Sequence, residues 1–290
     1  MEKERILFIV NPISGGKKSR FKQEQVEKHL DLNRFSYKIY ETKEAGDGYK
    51  KVKNKIDKYD GFIAVGGDGT VNEVFTAIVN STKWFSVIPN GSGNGLARTL
   101  KIPMDVPGAI KHLNKASVEK IDYALINGEP FINVAGVGFD AKIANKFKKS
   151  TERGFKTYAE ITLNELKKMR SHKVKIAFDK EQITKRVLLV SFANSSQFGN
   201  NAHIAPNAKL NDGQLRVVTF KPFHWASLPY LAWLMFNRSI DKSKLHQEYV
   251  IKKATITSKK KIHLHIDGEA RGKVKKIDLE VVSGGIQVMA

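Results

Sequence analysis

The segment FIAVGGDGTVNE at residues 62–73 joins a short apolar run to a glycine turn and then to a helical pattern. Phe62–Val65 has the length and composition of a buried strand. In the turn, Gly66-Gly67-Asp68-Gly69-Thr70, glycines let the backbone bend sharply and let a phosphate approach without a Cβ in the way. Thr70 and Glu73 have capping-box spacing, so we expect the helix to begin at Thr70. The free N–H groups at its start would then face an anion.

Asp68 is the unusual residue of this turn, because a carboxylate beside a phosphate is repulsive unless a cation lies between them. The pattern therefore points to Mg²⁺, acting directly or through water. Taken alone, the segment leaves open an ordinary strand-to-helix turn with a well-capped helix.

Two further glycine turns follow strand-like segments in the first 120 residues. One is Pro89-Asn90-Gly91-Ser92-Gly93-Asn94-Gly95 after Trp84–Ile88, and it lacks the lysine of a Walker A loop. The other is Asn11-Pro12-Ile13-Ser14-Gly15-Gly16-Lys17-Lys18 after Arg5–Val10. Strand–helix alternation at this spacing predicts a parallel sheet with crossover helices. The three turns should then converge on one crevice at the carboxyl ends of the strands.

From about residue 122 the pattern changes to strand-like segments joined by polar or glycine-containing turns, and only Thr157–Met169 and Ala226–Phe236 look helical. We therefore predict an α/β domain over residues 1–122 and a β-sandwich over residues 123–290, whose final strand could return to the first domain. Gly136-Val-Gly138-Phe-Asp140-Ala141 fits a loose dinucleotide-binding pattern. It lies outside the regular alternation, which disfavours an oxidoreductase.

The composition is strongly basic, with 50 Lys and Arg against 29 Asp and Glu and a formal net charge of +21. A nucleic acid, an anionic membrane or a phosphorylated small molecule fits this charge, as does a merely soluble basic surface. The chain has no cysteine, which excludes disulfides, zinc–thiolate sites and cysteine nucleophiles. No apolar run approaches the roughly 20 residues that span a bilayer, and no signal peptide is visible, so we expect a soluble cytoplasmic protein.

Basic residues concentrate at residues 252–276, where nine Lys and Arg stand against Asp267 and Glu269. Such a face would dock to an anionic membrane, since each basic residue near the surface adds about 1 kcal/mol. The aromatic-rich segment Phe220–Phe236 indicates either an interfacial helix or a helix packed on the sandwich core. Nucleic-acid binding would need aromatic side chains among the basic runs, and Lys252–Lys261 has none, so we expect no nucleic-acid partner.

Spacing alone makes Asp267-Gly268-Glu269 a hairpin turn. Its glutamate could also accept the proton of an alcohol, with Arg271 and Lys273 close by to keep it ionised. His263 and His265 alternate with apolar residues, so we expect them to share one face of a strand. A solvated face is the favoured interpretation, and a metal-binding pair is the alternative.

The ordered set of motifs resembles the bacterial lipid kinases of the diacylglycerol kinase catalytic-domain superfamily, which includes sphingosine and ceramide kinases. The matching segments are collinear over nearly the whole chain: Asn11-Pro12 with Ser14-Gly15-Gly16, Gly66–Thr70 with Asn72-Glu73, Gly91–Asn94 with Leu96-Ala97-Arg98, Gly136–Ala141, Ala205-Pro206, Asn211-Asp212-Gly213 and Asp267-Gly268-Glu269. The resemblance implies an N-terminal three-layer α/β domain, like those of NAD kinase and phosphofructokinase, and a C-terminal β-sandwich. ATP would bind in the cleft between them.

The resemblance also implies a role for each candidate site residue. Glu269 would be the general base, and Asp68 would act through Mg²⁺ on the nucleotide phosphates. Asp212, helped by main-chain carbonyl groups of Lys209 and Gln214, would hold a structural Mg²⁺ in the second domain. The residues that would form the nucleotide site are Asn11, Thr42, Gly66, Gly67, Asp68, Gly69, Thr70, Val71, Asn72 and Ser92.

The implied function is an ATP- and Mg²⁺-dependent lipid kinase, with conversion of diacylglycerol to phosphatidic acid as the first choice. Asn94-Gly95 stands where bacterial diacylglycerol kinases usually carry Asn-Asp, which keeps a sphingoid-base or ceramide kinase as the alternative. An NAD kinase shares the Gly-Gly-Asp-Gly turn, but here Ala202 follows Asn200-Asn201 where a glutamate is typical. The expected partners are a membrane lipid and the anionic inner face of the membrane, bound peripherally, and a homodimer is left open.

Overall fold

The computed structural model describes residues 2–14, 21–150, 155–166, 169–179 and 181–290. The chain forms two compact units, the first comprising Met1–Ile121 with Gly284–Ala290 and the second Asp122–Ser283. No helix among the described residues has the length and apolarity that crossing a membrane requires.

The first unit is built on a parallel sheet. Its elements are β1 (Glu4–Val10), α1 (Gln23–His29), β2 (Phe35–Glu41), α2 (Asp47–Lys53), β3 (Gly61–Gly66), α3 (Asp68–Ile78), β4 (Trp84–Pro89), α4 (Gly95–Thr99) and α5 (Val106–Leu113). The strands run in the order β4-β3-β1-β2, all parallel, and β3 and β4 are buried along their whole length. Such strands are apolar on both faces because helices cover both sides of the sheet. The helices pack in two pairs, α2 with α3 and α1 with α5, which gives a three-layer α/β domain.

The second unit is dominated by antiparallel strands. Its elements are β5 (Val118–Ile126, which begins in the first unit), β6 (Glu129–Phe131), β7 (Val134–Gly138), α6 (Phe139–Lys149), α7 (Phe155–Leu166), β8 (His172–Phe178), β9 (Glu181–Val187), β10 (Leu189–Ala193), β11 (Leu215–Phe220), α8 (Leu228–Phe236), β12 (His246–Ile251), β13 (Lys253–Ile266) and β14 (Glu269–Met289, which ends in the first unit). The strands β12-β11-β10-β7-β13-β14 are neighbours in that order, and β8 and β9 extend from β13. This is the predicted β-sandwich-like domain.

Two apolar clusters hold the second unit together. The larger one fills the sandwich, with Phe131, Phe192 and Ile256 among its fully buried or nearly buried side chains. The smaller one lies beneath α8, where Leu231 and Leu234 pack among buried residues of β7, β10 and β11. The helix α8 is therefore anchored to the sandwich by one of its sides.

The segment Gly136–Ala141 runs from β7 directly into α6, a helix that the sequence pattern did not indicate. Strand followed by helix is the arrangement of a dinucleotide-binding turn, but β7 pairs antiparallel with both β10 and β13. A dinucleotide fold needs parallel strands in a βαβ unit. The topology therefore agrees with the exclusion of an oxidoreductase.

Candidate active site

The glycine turns of the first unit lie side by side at the carboxyl ends of its strands. The N–H of Asn11 donates to the carbonyl of Val65 at 3.0 Å, and the N–H of Asn90 donates to the carbonyl of Gly66 at 2.9 Å. These bonds link each turn to the neighbouring strand, so the described parts of the three turns lie along one edge of the sheet, and the crevice stays a prediction. We call this set the glycine edge: Asn11–Ser14, Gly66–Thr70 and Asn90–Gly95. Gly15, Gly16, Lys17 and Lys18 of the first turn lie outside the described residues.

Two turns of the glycine edge touch through their main chains. A Cβ on Gly91 would lie 2.3 Å from the Cα of Gly67, a distance that real Cβ atoms do not reach. A Cβ on Gly66 would lie equally close, 2.3 Å, to the hydroxyl oxygen of Thr70. Glycine at these positions is therefore required by packing within the protein, in addition to any room that it leaves for a ligand.

Asp68 joins these two turns through its side chain. Its Oδ1 accepts the N–H of Gly95 at 2.8 Å, and its Oδ2 accepts the N–H of Asn94 at 3.1 Å. Burial raises the pKa of the Asp68 carboxyl, while the N–H groups of Gly95 and Asn94 and the charge of Arg98 act in the opposite direction. One carboxylate thus satisfies two main-chain donors at the start of α4.

The predicted capping box at Thr70 and Glu73 is wrong. The helix α3 begins two residues earlier, at Asp68, with Gly67 in extended conformation as its N-cap and no side-chain cap. The Oε1 of Glu73 instead accepts the N–H of Gly46 at 2.8 Å, in the loop between β2 and α2. Glu73 is therefore used to hold this loop, which follows Thr42, and Thr70 is buried.

Asn94 closes the loop that carries Ser92. Its backbone is left-handed, with φ of 52°, a conformation that asparagine tolerates better than most residues. Its side chain accepts the N–H of Gly91 at 3.0 Å and donates to the carbonyl of Gly91 at 2.9 Å. The loop is thereby pinned at both ends while Ser92 is exposed. The sequence does not predict that the side chain of Asn94 closes this loop, although its position among glycines indicates an unusual backbone conformation.

The remaining residues of the predicted nucleotide site differ in how accessible their groups are to a ligand. Thr42 is half-buried, and its N–H donates to the carbonyl of Val10 at 2.8 Å, which places it beside the end of β1. Val71 is buried, so only its main chain could reach a ligand. Gly69 is exposed and Asn72 is half-buried, one turn into α3.

In the second unit, Glu269 is the first residue of β14 and pairs with Ile266 of β13 across a two-residue hairpin turn. The turn residues Asp267 and Gly268 both have positive φ, 46° and 83°, as a type I′ turn requires. The carboxylate of the buried Asp267 accepts the N–H of Asn133 at 2.9 Å and that of Ile132 at 3.1 Å. Asp267 therefore fixes the turn, and Glu269 is half-buried at its end.

A buried Asp–His pair supports the same hairpin. Nε2 of His265 lies 3.2 Å from Oδ2 of Asp140, which also accepts the hydroxyl of Ser191 at 3.2 Å. The other ring nitrogen of His265 lies 3.4 Å from the N–H of Gly268. The expectation that His265 lies on a solvated face is wrong, because α6, which carries Asp140, packs against β13 and His265 is buried there.

Arg271, expected to act on Glu269, makes an ion pair with Glu129 at 2.5 Å. Two more basic residues of the 252–276 segment are also paired, Lys253 with a carboxylate at 2.6 Å and Lys276 with one at 2.8 Å. The other six are exposed lysines, and within the described part of the chain none lies within ion-pair distance of a carboxylate: Lys252, Lys259, Lys260, Lys261, Lys273 and Lys275. We call these six lysines the basic face.

The predicted metal site at Asp212 is engaged by protein groups. Oδ2 of Asp212 accepts Nη2 of Arg216 at 2.7 Å, Oδ1 accepts the N–H of Gln214 at 3.0 Å, and Nη1 of Arg216 also donates to the Gln214 side chain. Among the described residues, no group of three His, Cys, Asp or Glu side chains could hold a metal. Arg216 thus neutralises Asp212 in this arrangement, and the Mg²⁺ site formed by Asp212 with the main-chain carbonyl groups of Lys209 and Gln214 stays a prediction.

Comparisons with known proteins agree with this architecture. Residues 5–126 match the diacylglycerol kinase catalytic domain, and residues 133–290 match the YegS C-terminal NAD kinase beta sandwich-like domain. The diacylglycerol kinases of Staphylococcus aureus strains RF122 and MRSA252 are each 29% identical over 284 residues, which cover 94% of this chain and 88% of theirs.

Solved structures extend the likeness to the whole fold. A candidate diacylglycerol kinase from Bacillus anthracis strain Sterne has a TM-score of 0.81 at 25% identity, covering 100% of this chain and 98% of its own. A further diacylglycerol kinase structure from the same strain has a TM-score of 0.77 at 23% identity, covering 100% and 97%, and supports the fold alone. With both of its domains matched in order, the chain belongs to the diacylglycerol kinase catalytic-domain family of lipid kinases.

Proposed function

We propose that this lipid kinase transfers the terminal phosphoryl group of ATP to the free hydroxyl of diacylglycerol, forming phosphatidic acid and ADP. The observation that carries the proposal is the glycine edge, where two turns touch through their main chains beside the start of α3. Main-chain N–H groups at a helix start, free of side-chain bulk, suit phosphate oxygens. The names of the Staphylococcus aureus relatives support diacylglycerol as the acceptor.

The nucleotide end of the reaction would use groups of the glycine edge. Phosphoryl transfer needs its charge neutralised and its reactants positioned, rather than a covalent intermediate. The main chain of Gly67–Thr70 would bind phosphate oxygens, and the exposed Ser92 hydroxyl and Thr42 would contact the rest of the nucleotide. Mg²⁺, when bound with the nucleotide, would neutralise phosphate charge. Asp68 is the carboxylate of the glycine edge that could act on this cation, and a nearby cation would favour the charged form that burial disfavours.

The acceptor end would use Glu269. Its carboxylate would take the proton of the lipid hydroxyl while the new oxygen–phosphorus bond forms and the bond to ADP breaks. A general base must be held in a fixed position relative to the hydroxyl from which it takes the proton. The type I′ turn, Asp267 and the buried pair of His265 and Asp140 would supply that support.

A kinase assay with labelled ATP tests the proposal. Purified protein is given vesicles with diacylglycerol, sphingosine or ceramide, or NAD in solution, or no acceptor. We expect label to enter phosphatidic acid in the organic phase, and only with diacylglycerol. Label on sphingosine or ceramide would favour the alternative that Asn94-Gly95 keeps open. Label on NAD, or release of phosphate alone, would contradict a lipid kinase reaction.

The basic face predicts binding to anionic membranes. We expect vesicle binding to rise with the fraction of anionic lipid and to weaken steeply as salt is added, because salt screens exposed charges. A co-sedimentation assay at two salt concentrations measures both effects. Replacing Lys259, Lys260 and Lys261 by Gln should weaken binding.

A matched control removes the same charge elsewhere, from three exposed lysines of the first unit, Lys28, Lys53 and Lys58. If both triple variants weaken binding equally, net charge and not the basic face is responsible. Equal binding of the wild-type protein to neutral and anionic vesicles at low salt would exclude electrostatic docking.

A further inference from the structure

The helix α8 exposes an aromatic surface that the kinase site does not use. Its sequence, LPYLAWLMF, contains no charged residue, and none occurs between Trp225 and Asn237. Four large side chains stand well out of the protein: Trp225, Tyr230, Trp233 and Phe236, which are 53%, 57%, 58% and 47% exposed. We call these four residues the aromatic ridge.

The side chains of the aromatic ridge do not belong to the hydrophobic core. Leu231 and Leu234 on the other side of α8 already fill the small cluster of the second unit. The rings of Tyr230 and Trp233 stack on one another in solvent, with centroids 6.4 Å apart and planes 16° apart. Contiguous apolar surface of this kind on a protein marks a place where something else binds.

The charges around the ridge indicate what that partner is. Four exposed basic residues flank it: Lys221, Arg238, Lys242 and Lys244. The only acidic residue between positions 221 and 244 is Asp241. None of the three lysines lies within ion-pair distance of a carboxylate in the described ranges. An apolar centre with a cationic rim complements a bilayer with anionic headgroups, where lipid phosphates meet the rim and the acyl boundary meets the rings.

The side-chain types favour a bilayer over a protein surface. Tryptophan and tyrosine concentrate at the membrane–water interface, because their rings are apolar and their N–H and O–H groups stay hydrated. Lysine is by contrast depleted from protein–protein interfaces, whereas exposed lysines flank the ridge. The substrate of a lipid kinase is itself held in a bilayer.

We propose that the aromatic ridge inserts into the headgroup region of an anionic bilayer, with α8 lying in the plane of the interface. This inference rests on the proposed function only in taking the substrate from a membrane. The ridge would thus be a second membrane contact, besides the basic face. The basic face attracts the anionic membrane at long range, whereas the ridge binds by burying apolar area. The contribution of the aromatic ridge to vesicle binding should therefore persist when salt is added.

Intrinsic fluorescence can report this contact directly. The chain has three tryptophans, and two of them, Trp225 and Trp233, lie on the ridge while Trp84 is buried. On adding vesicles of phosphatidylcholine and phosphatidylglycerol without diacylglycerol, we expect a blue shift and quenching by lipids brominated near the headgroup. The W225A/W233A variant should bind these vesicles at least about tenfold more weakly, and its residual binding should be abolished by salt.

The control variant removes two exposed apolar side chains of the first unit, Tyr49 and Leu32, by substitution with alanine. It should bind vesicles as the wild-type protein does. Wild-type emission that is unchanged by vesicles, or equal binding by both double variants, would overturn the proposal. Loss of a dimer in W225A/W233A, seen by sedimentation, with vesicle binding intact would also overturn it and assign the ridge to a second copy of the chain.

The outcome is separable from the fate of the proposed function. Vesicles without substrate and without ATP test the ridge alone. Turnover of a short-chain, water-soluble diacylglycerol by W225A/W233A should match wild type. If the wild-type protein phosphorylates no lipid yet shows the fluorescence change, the proposed function fails and the ridge assignment stands.

Discussion

Replacing Glu269 by glutamine is expected to lower kcat for lipid phosphorylation by about 10²–10⁴-fold, the usual range for losing a general base. Glutamine keeps the shape of the side chain and much of its hydrogen bonding but lacks a basic carboxylate. The hairpin should persist, because Asp267 and His265 hold it and neither is changed. Steady-state lipid phosphorylation and nucleotide binding, measured on one preparation, test the prediction, and ATP affinity should be nearly unchanged.

A matched control lies on the same strand. Glu280 is a more exposed carboxylate of β14, paired with Lys253 at 2.6 Å, and Glu280→Gln should leave kcat within a factor of about two. If kcat survives in Glu269→Gln, the base is another group. If ATP binding collapses instead, Glu269 is a nucleotide or metal ligand and the assigned role is wrong.

Asp68→Asn should reduce turnover at least about 10³-fold, since metal-assisted neutralisation of phosphate charge is worth several kcal/mol and each 1.4 kcal/mol is a factor of ten. The structure adds a second cost. An amide offers one acceptor oxygen, so its NH₂ group would face the N–H of either Asn94 or Gly95. Losing a charged acceptor destabilises by about 1.5–3 kcal/mol, which a thermal melt should detect.

These two effects of the Asp68 substitution can be separated. If Asp68 acts through Mg²⁺, nucleotide binding without Mg²⁺ should be unaffected by the substitution, and the gain in affinity on adding Mg²⁺ should be lost. Asp105→Asn is the matched control, because Asp105 caps the start of α5 by accepting the N–H of Gly108 at 2.7 Å. It should leave turnover intact. Normal activity in a folded Asp68→Asn protein would refute any catalytic part for this residue.

The architecture of the first unit can be predicted from the sequence because its signals are local. Each buried strand there is a short apolar run that ends in a glycine turn, and the parallel sheet follows from their alternation with helices. The capping-box pattern of Thr70 and Glu73 predicts the start of α3 two residues too late, because Glu73 bonds to Gly46 instead. The capping-box rule uses local spacing only, so it cannot detect that Gly46, 27 residues away, competes for Glu73.

The elements of the second unit are harder to predict from the sequence, again because contacts between distant parts of the chain decide them. Ile277–Val282 and Ile286–Met289 look like two strands, yet both belong to the single 21-residue strand β14. The sequence does not indicate α6, because its segment is rich in lysine and its buried residues, such as Ala141, Ile143 and Ala144, are mostly small. The segment is amphipathic but contains few apolar residues, so it does not stand out as a buried helix from the sequence alone.

Within the candidate site, the residue types could be predicted but their bonds could not. The pairing of His265 with Asp140 spans 125 residues, and the bonds of Asp68 to Asn94 and Gly95 span 26 and 27. Such contacts depend on how strands are ordered in space, which no local pattern specifies. The motif Gly136–Ala141, which looked like a nucleotide-binding signal, instead supplies the aspartate behind the hairpin of Glu269.

The long strand β14 also constrains how the protein can be made in the cell. Its end, through Gln287 and Val288, pairs with Trp84 and Phe85 of β4. A ribosome adds about 5–20 residues per second, so roughly ten seconds or more of translation separate the completion of residue 121 from the arrival of this last strand. Until then β4 is an open edge that can pair with the wrong chain. The unit that emerges first from the ribosome is thus the last to be completed.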